Sequence, residues 1–250
     1  MNKLSTTIIA HRGASRSAPE NTMSAFEHAY QSGAEGIETD VQLTKDNVPV
    51  LMHDERLNRT TNSSGYLKDY TFSQLQQLDA GSWFSRKYSG EKILSLDELL
   101  QWAHNKSLYL NIELKNNKID YKNLENIVVD MISQFRLQNC TTISTFNPKS
   151  VERLSAITKQ TGIALLTSKR RRNPVENAKQ LGASAVHIKY RLLSKRLIQQ
   201  CKRENMRVRV YTVNRPSRMK RCFFYRCDGI FTDIPDQALD YRQQLYKQTM

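Results

Sequence analysis

No stretch of this 250-residue chain approaches 18 consecutive apolar residues, so no membrane-crossing helix is predicted. The start, Met1-Asn2-Lys3-Leu4-Ser5, leads into a short strand-like run and has neither the long apolar region nor the cleavage site of a signal peptide. Cysteine is scarce: Cys140, Cys201, Cys222 and Cys227 form no CxxC pair, which excludes zinc sites of that spacing. A domain of this size needs no disulfide staples, so the four are read as reduced thiols in a cytoplasmic protein. Acidic residues are scarce in one half only. Residues 1–125 carry 14 Lys/Arg against 16 Asp/Glu, and residues 126–250 carry 24 against 8. A second half this basic suits a solvated outer surface, an anionic membrane surface or a polyanion. Its sharpest element, Lys169-Arg170-Arg171-Arg172, follows a strand-like stretch and is read first as a solvated loop. What is present suffices for a core: 39% of the chain is hydrophobic and 8% of it aromatic.

Strand and helix patterns alternate almost throughout. Strands are predicted over residues 6–11, 36–41, 108–114, 141–146, 163–167, 184–188, 207–213 and 229–232. Helices are predicted over 21–32, 95–105, 121–136, 148–160, 174–181, 194–205, 216–226 and 235–247. Start signals support them: Asn21 as a cap, Ser95 with Glu98 as a capping box, and proline at the first helical position in Asn147-Pro148 and Asn173-Pro174. Gly33 and Gly182 suit left-handed helix ends. Eight strands each followed by a helix predict a (β/α)8 barrel over residues 1–250, with a doubly wound open sheet as the alternative. One segment departs from the alternation. Residues 39–44 and 48–52 read as two strands joined by Lys45-Asp46-Asn47, too short a link for anything but an antiparallel hairpin. The return strand brings His53 back towards Asp40. Residues 54–92 then form a long insertion with little periodicity, positioned to overhang the C-terminal face of a barrel.

The candidate chemistry sits at strand ends. His11-Arg12-Gly13 places a proton carrier, a permanent cation and an unobstructed backbone together, which suits a phosphate ester. Glu38 and Asp40 are i, i+2 on one strand and face the same side. Two carboxylates facing one way in an otherwise apolar strand call for a shared cation, and oxygen ligands suit Mg²⁺ or Ca²⁺. The competing reading is an exposed strand of alternating polarity. Glu113 and Lys115 repeat the spacing, as a third ligand and a point charge for phosphate, or as a surface salt bridge. His53-Asp54 closes the hairpin and supplies a second imidazole on the same face. Hydrolysis of a phosphodiester needs one group to accept a proton and one to donate it. His28 and His104 read as surface residues, and His187 as a core or a site residue. Phe146 and Tyr211 are candidate walls for a small organic group, or core.

These residues fall into an ordered series: His11-Arg12-Gly13, Pro19-Glu20-Asn21-Thr22, Gly36-Ile37-Glu38-Thr39-Asp40-Val41, His53-Asp54, Arg59-Thr60-Thr61 with Gly65, Glu113-Leu114-Lys115, Tyr211-Thr212-Val213-Asn214 and Gly229-Ile230-Phe231-Thr232-Asp233-Ile234-Pro235. The series spans nearly the whole chain and resembles the motif series of the glycerophosphodiester phosphodiesterases. The resemblance implies a (β/α)8 barrel with an inserted subdomain after the second strand region. It implies divalent-metal-dependent cleavage of glycerophosphodiesters, such as glycerophosphocholine or glycerophosphoethanolamine, to glycerol 3-phosphate and an alcohol. Carried over residue by residue, it makes His11 and His53 the catalytic histidines and Arg12 the phosphate-contacting arginine. It makes Glu38, Asp40 and Glu113 the metal ligands and Lys115 a substrate contact. Tyr211 stands where the family usually has tryptophan, and Ser144-Thr145-Phe146 where Ser-Phe is commoner. Asn205 stands in place of a glycine often found before the strand at 207.

The expected substrate is thus a small-molecule glycerophosphodiester, attacked either by its own neighbouring glycerol hydroxyl or by water. Lysophospholipase D-type hydrolysis of lysophospholipids, with weak contact to an anionic membrane surface, is the alternative within the enzyme class. A basic barrel binding nucleic acid stands behind both, because no nucleic-acid-binding motif is visible.

Overall fold

In a computed structural model, residues 6–170 and 173–247 are described. Arg171 and Arg172 of the basic run and residues 1–5 lie outside the described residues; Lys169 and Arg170 are exposed on the loop after a strand end. In chain order the elements are β1 (Thr7–His11), α1 (Met23–Gln31), β2 (Gly36–Leu43), β3 (Pro49–Leu51), α2 (Phe72–Leu75), α3 (Leu96–Ala103), β4 (Tyr109–Leu114), α4 (Leu124–Gln134), β5 (Thr141–Thr145), α5 (Pro148–Ile157), β6 (Gly162–Thr167), α6 (Pro174–Gln180), β7 (Ala185–Lys189), α7 (Lys195–Arg203), β8 (Arg207–Tyr211), α8 (Pro216–Phe224), β9 (Gly229–Thr232) and α9 (Pro235–Lys247).

Eight of the strands pair in parallel, and β1 bonds to both β2 and β9, so the sheet closes on itself as a (β/α)8 barrel. The open-sheet alternative is excluded by that closure. The pairing also decides between the two readings of the carboxylate strand. β2 lies between β1 and β4 with all eight residues buried, so it is not an exposed strand of alternating polarity. The outer barrel surface (Ile8, Ile37, Leu110, Ile143, Val186, Val210, Ile230) packs against the helices as one apolar cluster.

Local signals explain most element ends. Ser95 and Glu98 make a complete capping box at α3, and proline opens α5, α6, α8 and α9. Gly33, Gly182 and Asn205 are all left-handed just after helices. The cap of α1 differs from expectation by one residue. Thr22, extended at φ −110°, accepts from the Ala25 N–H, while Asn21 is left-handed at φ 59° and its amide serves the site below.

The hairpin forms as expected: Val41 pairs with Leu51 and Leu43 with Pro49, antiparallel. Asp46 Oδ1 ties its turn to α2, accepting from Phe72 N at 3.0 Å. Residues 54–92 hold three short 3₁₀ turns and α2 over a small apolar cluster of their own. There Leu57, Leu67, Leu75 and Ala80 pack on Val50 and Met52 of the hairpin. This insertion leaves the C-terminal end of β2 and stands beside the barrel mouth.

Candidate active site

His11, Arg12, Glu113, Lys115, Phe146 and Tyr211 lie on or just past the C-terminal ends of parallel strands, Glu38 is level with His11 in register, and His53 follows the hairpin strand. β1 ends in a sharp turn: Arg12 is left-handed (φ 58°) and Gly13 follows (φ 80°). Left-handed backbone costs a non-glycine residue roughly 1–2 kcal/mol. At Arg12 the cost is offset by the bonds that hold it. Its N–H donates to Glu38 Oε2 (2.9 Å), and its guanidinium pairs with Glu20 Oε1 (2.9 Å) and Asp40 Oδ2 (3.1 Å). Gly13 is needed for close approach as well as for φ, because a Cβ there would lie 2.6 Å from the Ala25 backbone. Gly13→Ala is expected to shift the start of α1 and to cost about 1–3 kcal/mol. The measurement is a thermal melt beside an activity assay, and an unaltered melt would refute the close-approach argument.

Glu38, Asp40 and Glu113 come together as the strand alternation predicts. Asp40 and Glu113 are register partners on β2 and β4, and the three side chains offer oxygens all within 4.8 Å of one another. The Glu113–Lys115 pair exists (2.8 Å), but it is buried rather than a surface bridge, and Lys115 also lies 3.5 Å from Asp40 Oδ1. Burial and then Asp40 beside it push Glu38 above the usual carboxylate range. Burial acts the same way on Asp40, but Arg12 and Lys115 outweigh it and hold Asp40 well below that range. Burial works against the charge on Lys115, but Glu113 and Asp40 outweigh it and keep the side chain an ammonium. Asp40 Oδ1 is buried and accepts no hydrogen bond.

This donor set fits a divalent cation. Two oxygens on one Ca²⁺ or Mg²⁺, each about 2.0–2.6 Å from it, lie within the spacing found here. A buried acceptor without a hydrogen bond and a carboxylate pushed towards protonation are both relieved by such an ion. Glu38, Asp40 and Glu113 are the residues that would hold it.

Two imidazoles flank the cluster, and each is fixed by a carboxylate on Nδ1. His11 Nδ1 lies 2.7 Å from Asp233 Oδ1, and His53 Nδ1 lies 2.6 Å from Asp54 Oδ1. Fixing Nδ1 leaves Nε2 of each ring for proton transfer. Burial lowers the His11 pKa, but Glu38 and the Asp233 hydrogen bond outweigh it and raise His11 above its ordinary value. The hairpin does carry His53 to the site: Met52 N donates to Asp40 O at 3.0 Å, and the His53 ring acts electrostatically on Asp40.

The supporting residues were not assigned roles by sequence reasoning. Asp233 is held by Asn214, which donates to Oδ2 at 2.5 Å and accepts from the Asp233 N–H at 2.9 Å. Asp54 accepts from Arg59 Nε (2.7 Å), and Arg59 also grips both oxygens of Glu20 (2.7 and 2.8 Å). Arg59, from the insertion, therefore links the His53 pair to the Arg12–Glu20 pair. Asn21 Nδ2 donates to Asp40 Oδ2 (3.1 Å), and its carbonyl accepts from Thr39 (2.8 Å). The available signals were acids directly beside a histidine or a strand end, Asp54 and Asp233, and the unexplained Glu20 and Arg59 within otherwise recognisable motifs.

Phe146 and Tyr211 meet edge to face, centroids 6.1 Å apart, at the ends of β5 and β8. Burial and then Glu113 raise the Tyr211 phenol, which sets this aromatic corner beside the carboxylates. His28 and His104 are exposed. His187 is a core residue: fully buried, it lies 3.2 Å from Arg209 and meets the Phe231 ring at a tilt of 60°, centroids 5.1 Å apart.

The sequence pattern of the glycerophosphoryl diester phosphodiesterase family matches residues 11–237. A glycerophosphodiester phosphodiesterase from Bacillus altitudinis is 37% identical over 96% of this chain and 99% of its own. One from Caldanaerobacter subterraneus subsp. tengcongensis is 35% identical over 95% and 98%. Among solved structures, an Oleispira antarctica phosphodiesterase in complex with the product sn-glycerol-3-phosphate superposes with a TM-score of 0.88 at 28% identity, covering 96% of this chain and 97% of that one. Barrel, motif order and full-length similarity agree: the chain belongs to the glycerophosphoryl diester phosphodiesterase family of enzymes.

Proposed function

We propose that this protein hydrolyses glycerophosphodiesters such as glycerophosphocholine or glycerophosphoethanolamine to glycerol 3-phosphate and the free alcohol. The observation that carries this reading is a buried carboxylate trio with an arginine and two carboxylate-fixed histidines around one barrel mouth. A divalent cation, Mg²⁺ or Ca²⁺, supplies Lewis-acid polarisation of the phosphoryl oxygens when bound by Glu38, Asp40 and Glu113.

The chain's own residues do the rest. Arg12 and Lys115 present fixed positive charge to the equatorial oxygens of phosphorus, where charge builds in the transition state. One of His11 and His53 accepts the proton of the attacking hydroxyl: water's, which gives the product directly, or the neighbouring glycerol hydroxyl's, which gives a cyclic phosphate that water then opens with the two histidines in exchanged roles. The other donates a proton to the leaving alkoxide as the P–O bond breaks. Asp233 and Asp54 hold each ring in one tautomer throughout. Phe146 and Tyr211 form the wall against which the organic part of the substrate rests. The insertion at residues 54–92 belongs to the same working unit as the barrel, because Arg59 completes the site. The four free cysteines suit the reducing cytoplasm.

The test is release of glycerol 3-phosphate by purified protein. With Mg²⁺ or Ca²⁺ it is expected to act on at least one glycerophosphodiester, and chelation is expected to lower the rate by about 10³-fold, restored on adding the ion back. A full rate after chelation would remove the metal from the reading. No product with any headgroup or divalent ion would remove the activity.

A further inference from the structure

A second polar cleft lies at the opposite, N-terminal mouth of the barrel. It has a volume of about 880 Å³ and is walled by the starts of β4, β5, β6 and β8 and the turns before β7 and β9. Lys202, Arg207 and Arg226 line it, and among the described residues none of the three makes an ion pair. The one carboxylate in the wall, Asp228, is already used, accepting from Val208 N at 2.8 Å. One threonine hydroxyl in the wall, Thr161, is buried (4% exposed) and has no hydrogen-bond partner.

Behind this wall sits a buried cation. The Arg209 guanidinium stacks 4.5 Å over the ring of Tyr109, itself part of the cleft, and Arg209 is 5% exposed. Its hydrogen-bond neighbour is His187, which burial and then Arg209 hold well below its ordinary pKa and therefore neutral at pH 7. No carboxylate pairs with Arg209 among the described residues. A buried charge without a counter-charge is expensive. The carbonyl ends of α5 and α7 at this mouth carry about half a negative charge each, which offsets only part of the positive field.

We propose that the N-terminal mouth of the barrel is a second anion site, built for a phosphate group and separate from the catalytic mouth. Thr161 would donate to one of its oxygens, and Lys202, Arg207 and Arg226 would neutralise it, with Arg209 contributing charge from beneath Tyr109. The phosphate is carried either by a soluble anion or by a lipid headgroup. Phe224, at the end of α8 and two residues from Arg226, is 80% exposed and offers an apolar contact that a lipid would use and inorganic phosphate would not.

The test is equilibrium dialysis with inorganic phosphate beside sedimentation with phosphatidylglycerol and phosphatidylcholine vesicles. The proteins compared are wild type, Lys202→Gln/Arg207→Gln and Thr161→Val. The first two positions are exposed, and the valine is close in shape to threonine, so folding and glycerophosphodiester cleavage should stay within twofold of wild type. Weakening of phosphate binding at least tenfold in the double variant, with a smaller loss in Thr161→Val, supports a soluble ligand. Loss of phosphatidylglycerol-selective sedimentation in the double variant and in Phe224→Ser supports the headgroup. Phosphate and vesicle binding that are absent, or the same in wild type and the double variant, overturn the proposal.

Discussion

His11→Ala is expected to lower kcat/KM for glycerophosphodiester cleavage by roughly 10²–10⁴-fold, the usual worth of a positioned general acid or base. The size of the effect follows from how the ring is held. Asp233 takes Nδ1 at 2.7 Å and is itself fixed by Asn214, so the imidazole has one orientation and one free nitrogen. A water entering the space left by alanine would have neither the pKa nor the orientation. The fold should survive, because the His11 side chain stands partly exposed at the barrel mouth. The loss should therefore fall on kcat with little change in the melting midpoint. A variant keeping more than a tenth of the wild-type rate would take proton transfer away from His11.

Asp40→Ala is expected to fail in a different way, losing stability as well as activity. Asp40 is 1% exposed and faces two cations, the half-buried Arg12 (Nε at 3.1 Å) and the buried Lys115 (Nζ at 3.5 Å), as well as the Asn21 amide. Removing one partner of a buried ionic group leaves uncompensated charge and costs about 3–5 kcal/mol. For a chain of this length that corresponds to roughly 6–20 °C in melting midpoint. The same change removes one of the three oxygen ligands, so stabilisation by added Mg²⁺ or Ca²⁺ should also disappear. Asp40→Asn keeps the shape and the Asn21 neighbour but not the charge, and should fall between the two. If Asp40→Ala melts with the wild type and still responds to the cation, the carboxylate cluster is not the metal site.

Much of this was legible in the sequence because it depends on local periodicity. The strands and helices follow from alternation and from end signals such as the Ser95–Glu98 box, and the shared facing of Glu38 and Asp40 follows from the two-residue period of a strand. The hairpin that returns His53 follows from a link too short for a crossover. What depends on distant parts of the chain was not legible. Closure of the barrel is a pairing of β1 with β9, and no local pattern encodes it. The partners of the histidines, Asp54 and Asp233, were visible as acids but not as orienting groups. Arg59 and Glu20 lie 39 residues apart, and only the fold shows that they meet. The one-residue error at α1 has the same origin: Asn21 looks like a cap locally but is recruited by Asp40 across the mouth.

The His11–Asp233 clasp joins residues 222 positions apart. During synthesis, then, the first proton carrier emerges at the outset and waits for almost the entire chain before its orienting carboxylate exists. Glu38, Asp40 and Glu113, by contrast, come from β2 and β4, which pair with each other directly. The orientation of the His11 ring thereby depends on the pairing that closes the barrel, that of β9 with β1.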